Sequence, residues 1–211
     1  MKSSKELPRK ERERLRHRQE ILSAAMRLFA EKGFHNVSMQ EIAAKAEFAT
    51  GTLYKFFTSK EALFDELTHN CGQRIISDLT AILDGPGDEV DCLRTFIRRQ
   101  PALLEEHAEF IKVYVSEFGI RGAKVSKRSD ESELHTILTS RLEALLEAGI
   151  GKGLFRRVDP TVAAKAVGSI LETVAFEMAG HFDMATATDT FAKIEQLFLG
   201  GLLLPETHND G

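Results

Sequence analysis

The sequence predicts an all-α protein of about nine helices, and three observations carry that prediction. Apolar residues recur at three- and four-residue spacing along most of the chain. No clear run alternates apolar and polar residues in the manner of a strand. Helix caps and Gly/Pro breaks divide the periodic runs from one another. The 211 residues are 43% hydrophobic and 28% charged, the balance of a globular chain that can bury a sizeable core as one large domain or two small ones.

Each element has its own signal. Ile21, Leu22, Ala25, Leu28 and Phe29 mark the apolar face of a first helix, which stops at Gly33. Ser38 followed by Glu41 is a capping box that opens a short second helix, running to about Ala46. A third short helix covers Ala49 to Phe56. Thr58 or Ser59 caps a long fourth helix, with Leu63, Phe64, Leu67, Ile75, Leu79 and Ile82 on its buried side. Gly85-Pro86-Gly87 is the strongest break in the chain. A helix follows from about Asp88, which Pro101 should kink or divide, and another spans Ala108–Gly119. Lys124–Ser132 reads as a loop or helix start, and Glu133–Ala148 as a helix ended by Gly149, Gly151 and Gly153. Asp159-Pro160 is an N-cap with proline at the first helical position, opening a helix to about Ala179. The last helix runs from about Asp189 to Leu203, before a frayed tail.

Charge is unevenly placed. The net charge of −4 combines 13 Lys/Arg against 7 Asp/Glu in residues 1–60 with 15 against 25 in the remainder. A basic end on an acidic body points to a polyanion at one end, or to a solvated charged tail. No apolar run approaches the ~18–20 residues of a membrane span. The charged first 20 residues do not read as a secretory signal. Cys71 and Cys92 are too few for a disulfide framework, so a cytoplasmic protein is expected. His69 and Cys71 form an H-x-C pair without a second pair, so no metal site and no cofactor are expected. Glycine-rich phosphate loops, HExxH and nucleophile elbows are missing from the sequence, which speaks against an enzyme. A helical adaptor that binds only protein is a further alternative, as is a thiol-sensing regulator.

The two short helices have the size of a helix-turn-helix, in which the second enters the major groove and the first crosses the backbone. Ile42, Ala43, Ala46, Leu53 and Phe57 would form the small core that fixes them. Thr50, Gly51, Thr52, Tyr54 and Lys55 would then face outward. Gly51 leaves room for close approach, hydroxyls can bond bases or phosphates, and Lys55 supplies charge. By pattern alone, any helical hairpin of a bundle core could look the same.

The segment 21–67, with ILSAAMRLFAEKGF and then VSMQEIAAKAEFATGTLYKFFTSKEALF, resembles the DNA-binding domain of TetR-family transcriptional regulators. The resemblance implies a dimeric repressor that binds a palindromic operator and is released by a small molecule. It implies that Ser38 bonds a phosphate through its hydroxyl or N–H, that Gln40 reaches a base, and that Thr50, Gly51 and Thr52 front the recognition helix. Tyr54 matches a tyrosine that touches the backbone, Lys60 a phosphate-contacting lysine. Met39 packs against a thymine methyl or covers the core. Three positions depart from the family pattern: Glu47 stands where a glycine is usual, Phe48 replaces a smaller residue, and Lys55-Phe56 replaces an aromatic–histidine pair. The basic arm Lys2–Arg18 lies along phosphates or is a solvated tail. On this reading the arm is 1–18, the helix-turn-helix domain 19–65, the effector and dimerisation domain 66–205, and the tail 206–211.

The acidic two-thirds carries no comparable motif. Phe96, Phe110, Tyr114, Phe118 and Phe176 are candidate walls of an effector pocket, with Glu117, Glu172 and His181 as polar anchors. An apolar or aromatic molecule, whether a fatty acyl compound or a cationic drug, would suit such walls. An aromatic stripe at helical spacing also serves as plain core. Val162, Ala166, Ile170 and Val174, with Phe191, Ile194 and Phe198, are candidates for a twofold four-helix interface. A homodimer also follows from mechanism, because two recognition helices about 34–36 Å apart read a palindrome.

Overall fold

The computed structural model describes residues 8–122 and 129–203, with side chains outside 118–133. Nine α-helices are present among the described residues: α1 Arg9–Lys32, α2 Met39–Lys45, α3 Thr50–Leu53, α4 Lys60–Leu83, α5 Glu89–Glu106, α6 Ala108–Gly122, α7 Ser129–Gly151, α8 Pro160–Met178 and α9 Met184–Leu202. A single 3-10 turn, Phe34–Asn36, follows α1. The all-α expectation therefore holds.

The buried residues fall into two clusters. The first gathers Ile21, Ala25 and Phe29 of α1, Ile42 and Ala43 of α2, Leu53, Phe57, and Leu63, Phe64 and Leu67 of α4, together with Val113 of α6. The second gathers Leu79 and Leu83 of α4 with Leu93, Phe96 and Ile97 of α5, Leu142 and Leu146 of α7, Val167 and Leu171 of α8, and Phe191 and Leu199 of α9. Among the described residues, only α4 and α6 supply buried side chains to both. Those two helices are the physical joints between the N-terminal head and the body.

Several boundaries differ from the sequence expectation: α6 extends to Gly122, and α7 starts at Ser129 and runs through Gly149 to Gly151. The first helix starts at Arg9, directly after Pro8, so residues 9–18 continue α1 instead of forming a separate arm. No glycine or proline interrupts that stretch, and Arg9–Glu13 and Arg16–Glu20 pair one turn apart, at 2.9 and 3.5 Å, which supports an exposed helix. Pro101 neither divides α5 nor ends it; the helix continues to Glu106. Burial of Phe96, Ile97, Pro101, Leu103 and Leu104 outweighs the one backbone hydrogen bond that proline cannot make. The recognition helix is shorter than its pattern, with α-helix over Thr50–Leu53 and turns through Phe56. The last helix begins at Met184, where the Asp183 carboxylate accepts from the N–H of Thr186 at 2.8 Å. A cap five residues earlier than expected therefore sets its start.

The α7–α8 connection depends on one glycine. A Cβ built on Gly149 would lie 2.3 Å from the fully buried ring of Phe155. That ring fits against α7 only because residue 149 has no side chain. The N–H groups of Leu154 and Phe155 donate to the Gly149 carbonyl at 2.9 and 3.3 Å, closing the turn.

Candidate nucleic-acid interface and effector cavity

The second helix is set by its first residue. Ser38 Oγ accepts from the N–H of Glu41 at 3.2 Å, while the Glu41 carboxylate accepts from the Ser38 N–H and hydroxyl, both at 2.9 Å. Lys32 adds an ion pair to Glu41 at 2.7 Å. The Lys32 ammonium and then the two Ser38 donors hold the Glu41 carboxyl down at about 2. Both donors of Ser38 are thus committed within the chain, and a phosphate would have to displace Glu41 to use them.

The turn between α2 and α3 places a side chain where the backbone favours none. Glu47 has φ +59, the only positive φ outside glycine among the described residues. The departure seen in the sequence is therefore a glutamate held in the left-handed region, at a cost of roughly 1 kcal/mol. The Phe48 N–H donates back to the Ala43 carbonyl at 2.8 Å, which closes the turn around it.

The structure separates the expected contact residues. Gln40, Gly51, Tyr54 and Lys55 are exposed, Tyr54 by 47%, and Ser38, Thr50 and Thr52 are half-buried. A Cβ on Gly51 would meet no atom of the chain within 4 Å. Met39 instead is buried in the head core, so it covers apolar surface and is not presented outward. Lys60 also differs from its expected role. Its Nζ donates to the carbonyls of Phe34 and Val37, both at 2.8 Å, and lies 3.5 Å from that of His35 and 4.4 Å from the Phe34 ring centroid. The ammonium is spent on the turn after α1, with no hydrogen left for a phosphate in this conformation.

Sequence reasoning assigned Arg18 to the arm, but it braces the head. Its guanidinium pairs with Glu66 of α4, donates to the Phe56 carbonyl at 3.1 Å, and lies 4.4 Å from the Phe57 ring centroid. Hydrogen bonding to Glu66 raises its already high pKa further. His17, beside it, stands edge-on to Phe48 at 5.1 Å. The partner Glu66 lies 48 residues away, a separation that no local pattern reveals.

A cavity of about 230 Å³ opens between α4, α5, α6, α7 and α8. Of the expected wall residues it contains Phe110, Tyr114, Glu172 and Phe176. Phe96 is excluded from it, 1% exposed in the body core, because its face of α5 packs against other helices. Glu117 points to the head, with Oε1 3.2 Å from His35 Nε2. His181 is exposed after α8 and does not line the cavity, and the side chain of Phe118 lies outside the described residues. The pattern missed Ile75 and Leu79 of α4, Gln100 and Leu103 of α5, and Leu138 and Leu142 of α7. These look like ordinary core positions until five helices are assembled.

The α8–α9 surface holds a second apolar feature. Val162 and Leu197 are 64% and 66% exposed, and with Val158, Ala163 and Phe198 they line an open groove. Ile170 is also exposed, while Ala166, Val174 and Phe198 are half-buried. Phe191 and Ile194, expected at an interface, are buried within the subunit. Their face of α9 packs on α5, where Glu195 also pairs with Arg98 at 2.5 Å. Among the described residues, no helix is long and apolar enough to cross a membrane.

Known proteins share both halves of this arrangement. Residues 21–67 match the family model "Bacterial regulatory proteins, tetR family", and residues 90–187 match "Tetracyclin repressor-like, C-terminal domain". The HTH-type transcriptional regulator YuxN of Bacillus subtilis is 32% identical over 112 residues, which is 51% of this chain but 35% of that protein. The chain thus spans only about a third of that relative's length. The HTH-type transcriptional repressor KstR2 of Rhodococcus jostii is 27% identical over 140 residues, 66% of this chain and 68% of that one. The fold is also that of FadR from Bacillus subtilis, solved in complex with stearoyl-CoA. The TM-score there is 0.69, at 20% identity, covering 87% of this chain and 98% of that one. Both family models describe regulators and not enzymes. Because the two matched segments together take in more than half of the residues, and the head is built as a helix-turn-helix, the chain belongs to the TetR family of bacterial regulatory proteins.

Proposed function

We propose that the protein is a homodimeric repressor that binds a palindromic operator and is released by a small apolar or aromatic molecule held in the body cavity. The observation that carries this reading is the placement of α6. That helix puts Phe110 and Tyr114 on the cavity wall, Val113 in the head core, and Glu117 against His35. A molecule that moves α6 therefore acts on the head through direct contact. KstR2 of Rhodococcus jostii is a transcriptional repressor, and FadR of Bacillus subtilis was solved in complex with stearoyl-CoA, of which only the acyl chain is apolar.

On this reading Gln40, Thr50, Gly51, Thr52, Tyr54 and Lys55 face the duplex, while Val162, Ala166, Ile170 and Leu197 meet a second copy. Two heads spaced by that pairing read two half-sites. The ligand weakens operator binding only if it favours a pose with the heads moved apart, since equal affinity for both poses shifts nothing. The head takes in roughly residues 9–65, and the body the remainder.

A shift assay with the DNA upstream of the protein's own gene, run over a range of salt concentrations, tests this. The expected result is a specific complex of two protomers per site whose affinity falls steeply with salt. A monomer with no salt-sensitive complex would refute the proposal.

A further inference from the structure

The cavity wall is mostly carbon, with one carboxylate set in it. Glu172 of α8 lines the cavity, and its Oε2 is buried without a hydrogen-bond partner among the described residues. Among the described residues, no lysine or arginine lines the cavity; the other ionisable residues of its described lining are Tyr114 and the exposed His135. A carboxylate oxygen left unpaired in an apolar wall is costly, and such a group calls for a donor from outside the chain.

The surroundings specify what kind of donor. Phe176 stands one helical turn after Glu172, on the same face of α8. Its ring centroid lies 5.9 Å from that of Tyr114, which lies 5.6 Å from that of Phe110. Two further polar groups already spend hydrogens within the chain. Gln100 Nε2 donates to the Phe96 carbonyl at 3.1 Å, and Thr68 Oγ1 donates to the Asp65 carbonyl at 2.9 Å. The Thr68 oxygen is therefore left as an acceptor. A carboxylate on a wall that also carries aromatic rings can attract a cation twice, through a charge-assisted hydrogen bond and through the ring quadrupoles. An anionic group placed there would meet like charge, and no cation among the described lining residues to balance it.

We infer that the cavity takes an apolar molecule bearing a protonated amine, with Glu172 as its counter-ion and Tyr114 and Phe176 as its walls. This rests on the reading of the cavity as the effector site, and it narrows that reading to one chemical class. Fatty acids and other carboxylates are selected against.

Three ligands of one size and different charge test it on the full chain by calorimetric titration at neutral pH: 3-phenylpropylamine, 3-phenylpropan-1-ol and 3-phenylpropanoate. The amine should bind about tenfold more tightly than the alcohol, and the acid more weakly than either. Glu172→Gln keeps the side-chain shape; it should bring the amine to the alcohol's affinity and leave the alcohol itself unchanged, with an unaltered melting curve showing that the fold is intact. If the acid or the alcohol binds as tightly as the amine, or if the amine preference survives Glu172→Gln, the inference is overturned while the effector cavity stands. If none of the three binds, both the inference and the reading of this cavity as a small-molecule site fall.

Discussion

The ammonium of Lys60 and the carbonyl of Val37 lie 2.8 Å apart, joining the start of α4 to the turn that precedes α2. With the Phe34 carbonyl also at 2.8 Å, this contact fixes the angle at which the helix-turn-helix leaves α1. Lys60→Met keeps the stem and removes the donors. We expect it to destabilise the fold by about 1–3 kcal/mol, the worth of hydrogen bonds to a charged group, in urea unfolding. The salt slope of DNA binding should change by less than one unit. A slope lowered by a full unit, with stability unchanged, would show that the amine serves a phosphate instead.

Glu47 holds φ +59 with its side chain exposed. Glu47→Gly relieves the left-handed strain but adds chain entropy to the unfolded state, so a net gain of about 0.5–1 kcal/mol is expected. Thermal unfolding would register it as a rise in Tm. A fall would mean that the carboxylate makes a compensating contact.

Gly51 sits in a helix with open space where its Cβ would be. Nothing within the chain requires a glycine there, and Gly51→Ala should stabilise the free protein by roughly 0.5–1 kcal/mol. If the recognition helix approaches DNA as proposed, the same methyl should weaken operator affinity. Paired melting and binding measurements decide it: a variant both more stable and equally tight would remove Gly51 from the interface.

Glu41 has its carboxyl held down at about 2 by Lys32 and Ser38. A depressed folded-state pKa stabilises the fold above the ordinary carboxylate range, and that stabilisation is lost as pH falls from about 4 towards 2. Wild type should therefore melt higher than Glu41→Gln at neutral pH, with the gap closing in acid. Melting curves at pH values spanning this range test it, and a gap independent of pH would contradict the linkage.

Leu197 and Val162 are the most exposed large apolar side chains described, facing one groove. Leu197→Asp should convert a dimer to a monomer, read by sedimentation, and leave the melting of the subunit nearly unchanged at low protein concentration. Phe191→Asp should unfold the body, because Phe191 is buried in it. Persistence of a Leu197→Asp dimer would move the interface elsewhere.

Legibility followed the range of the interaction. The capping box at Ser38 and Glu41, the break at Gly85-Pro86-Gly87 and the Asp159-Pro160 start are local, and each stands where the pattern put it. The small head core was legible for the same reason, since Ile42, Ala43, Leu53 and Phe57 are close in sequence. The inward turn of Lys60, the Arg18–Glu66 brace and the side of α9 that is left exposed depend on residues many positions apart. Periodicity marked Phe191, Ile194 and Leu197 alike as apolar; only the docking of α5 on α9 separated the buried two from the exposed one.

Sequence alone determined the helical class and the helix caps at Ser38, Ser59 and Asp159, because backbone capping and 3.6-residue periodicity act over a few residues. Tertiary structure decided which polar groups are spent within the chain and which remain for a partner. That outcome depends on where distant donors and acceptors meet in space, as when Lys60 meets the Val37 carbonyl while Glu172 Oε2 meets no partner among the described residues.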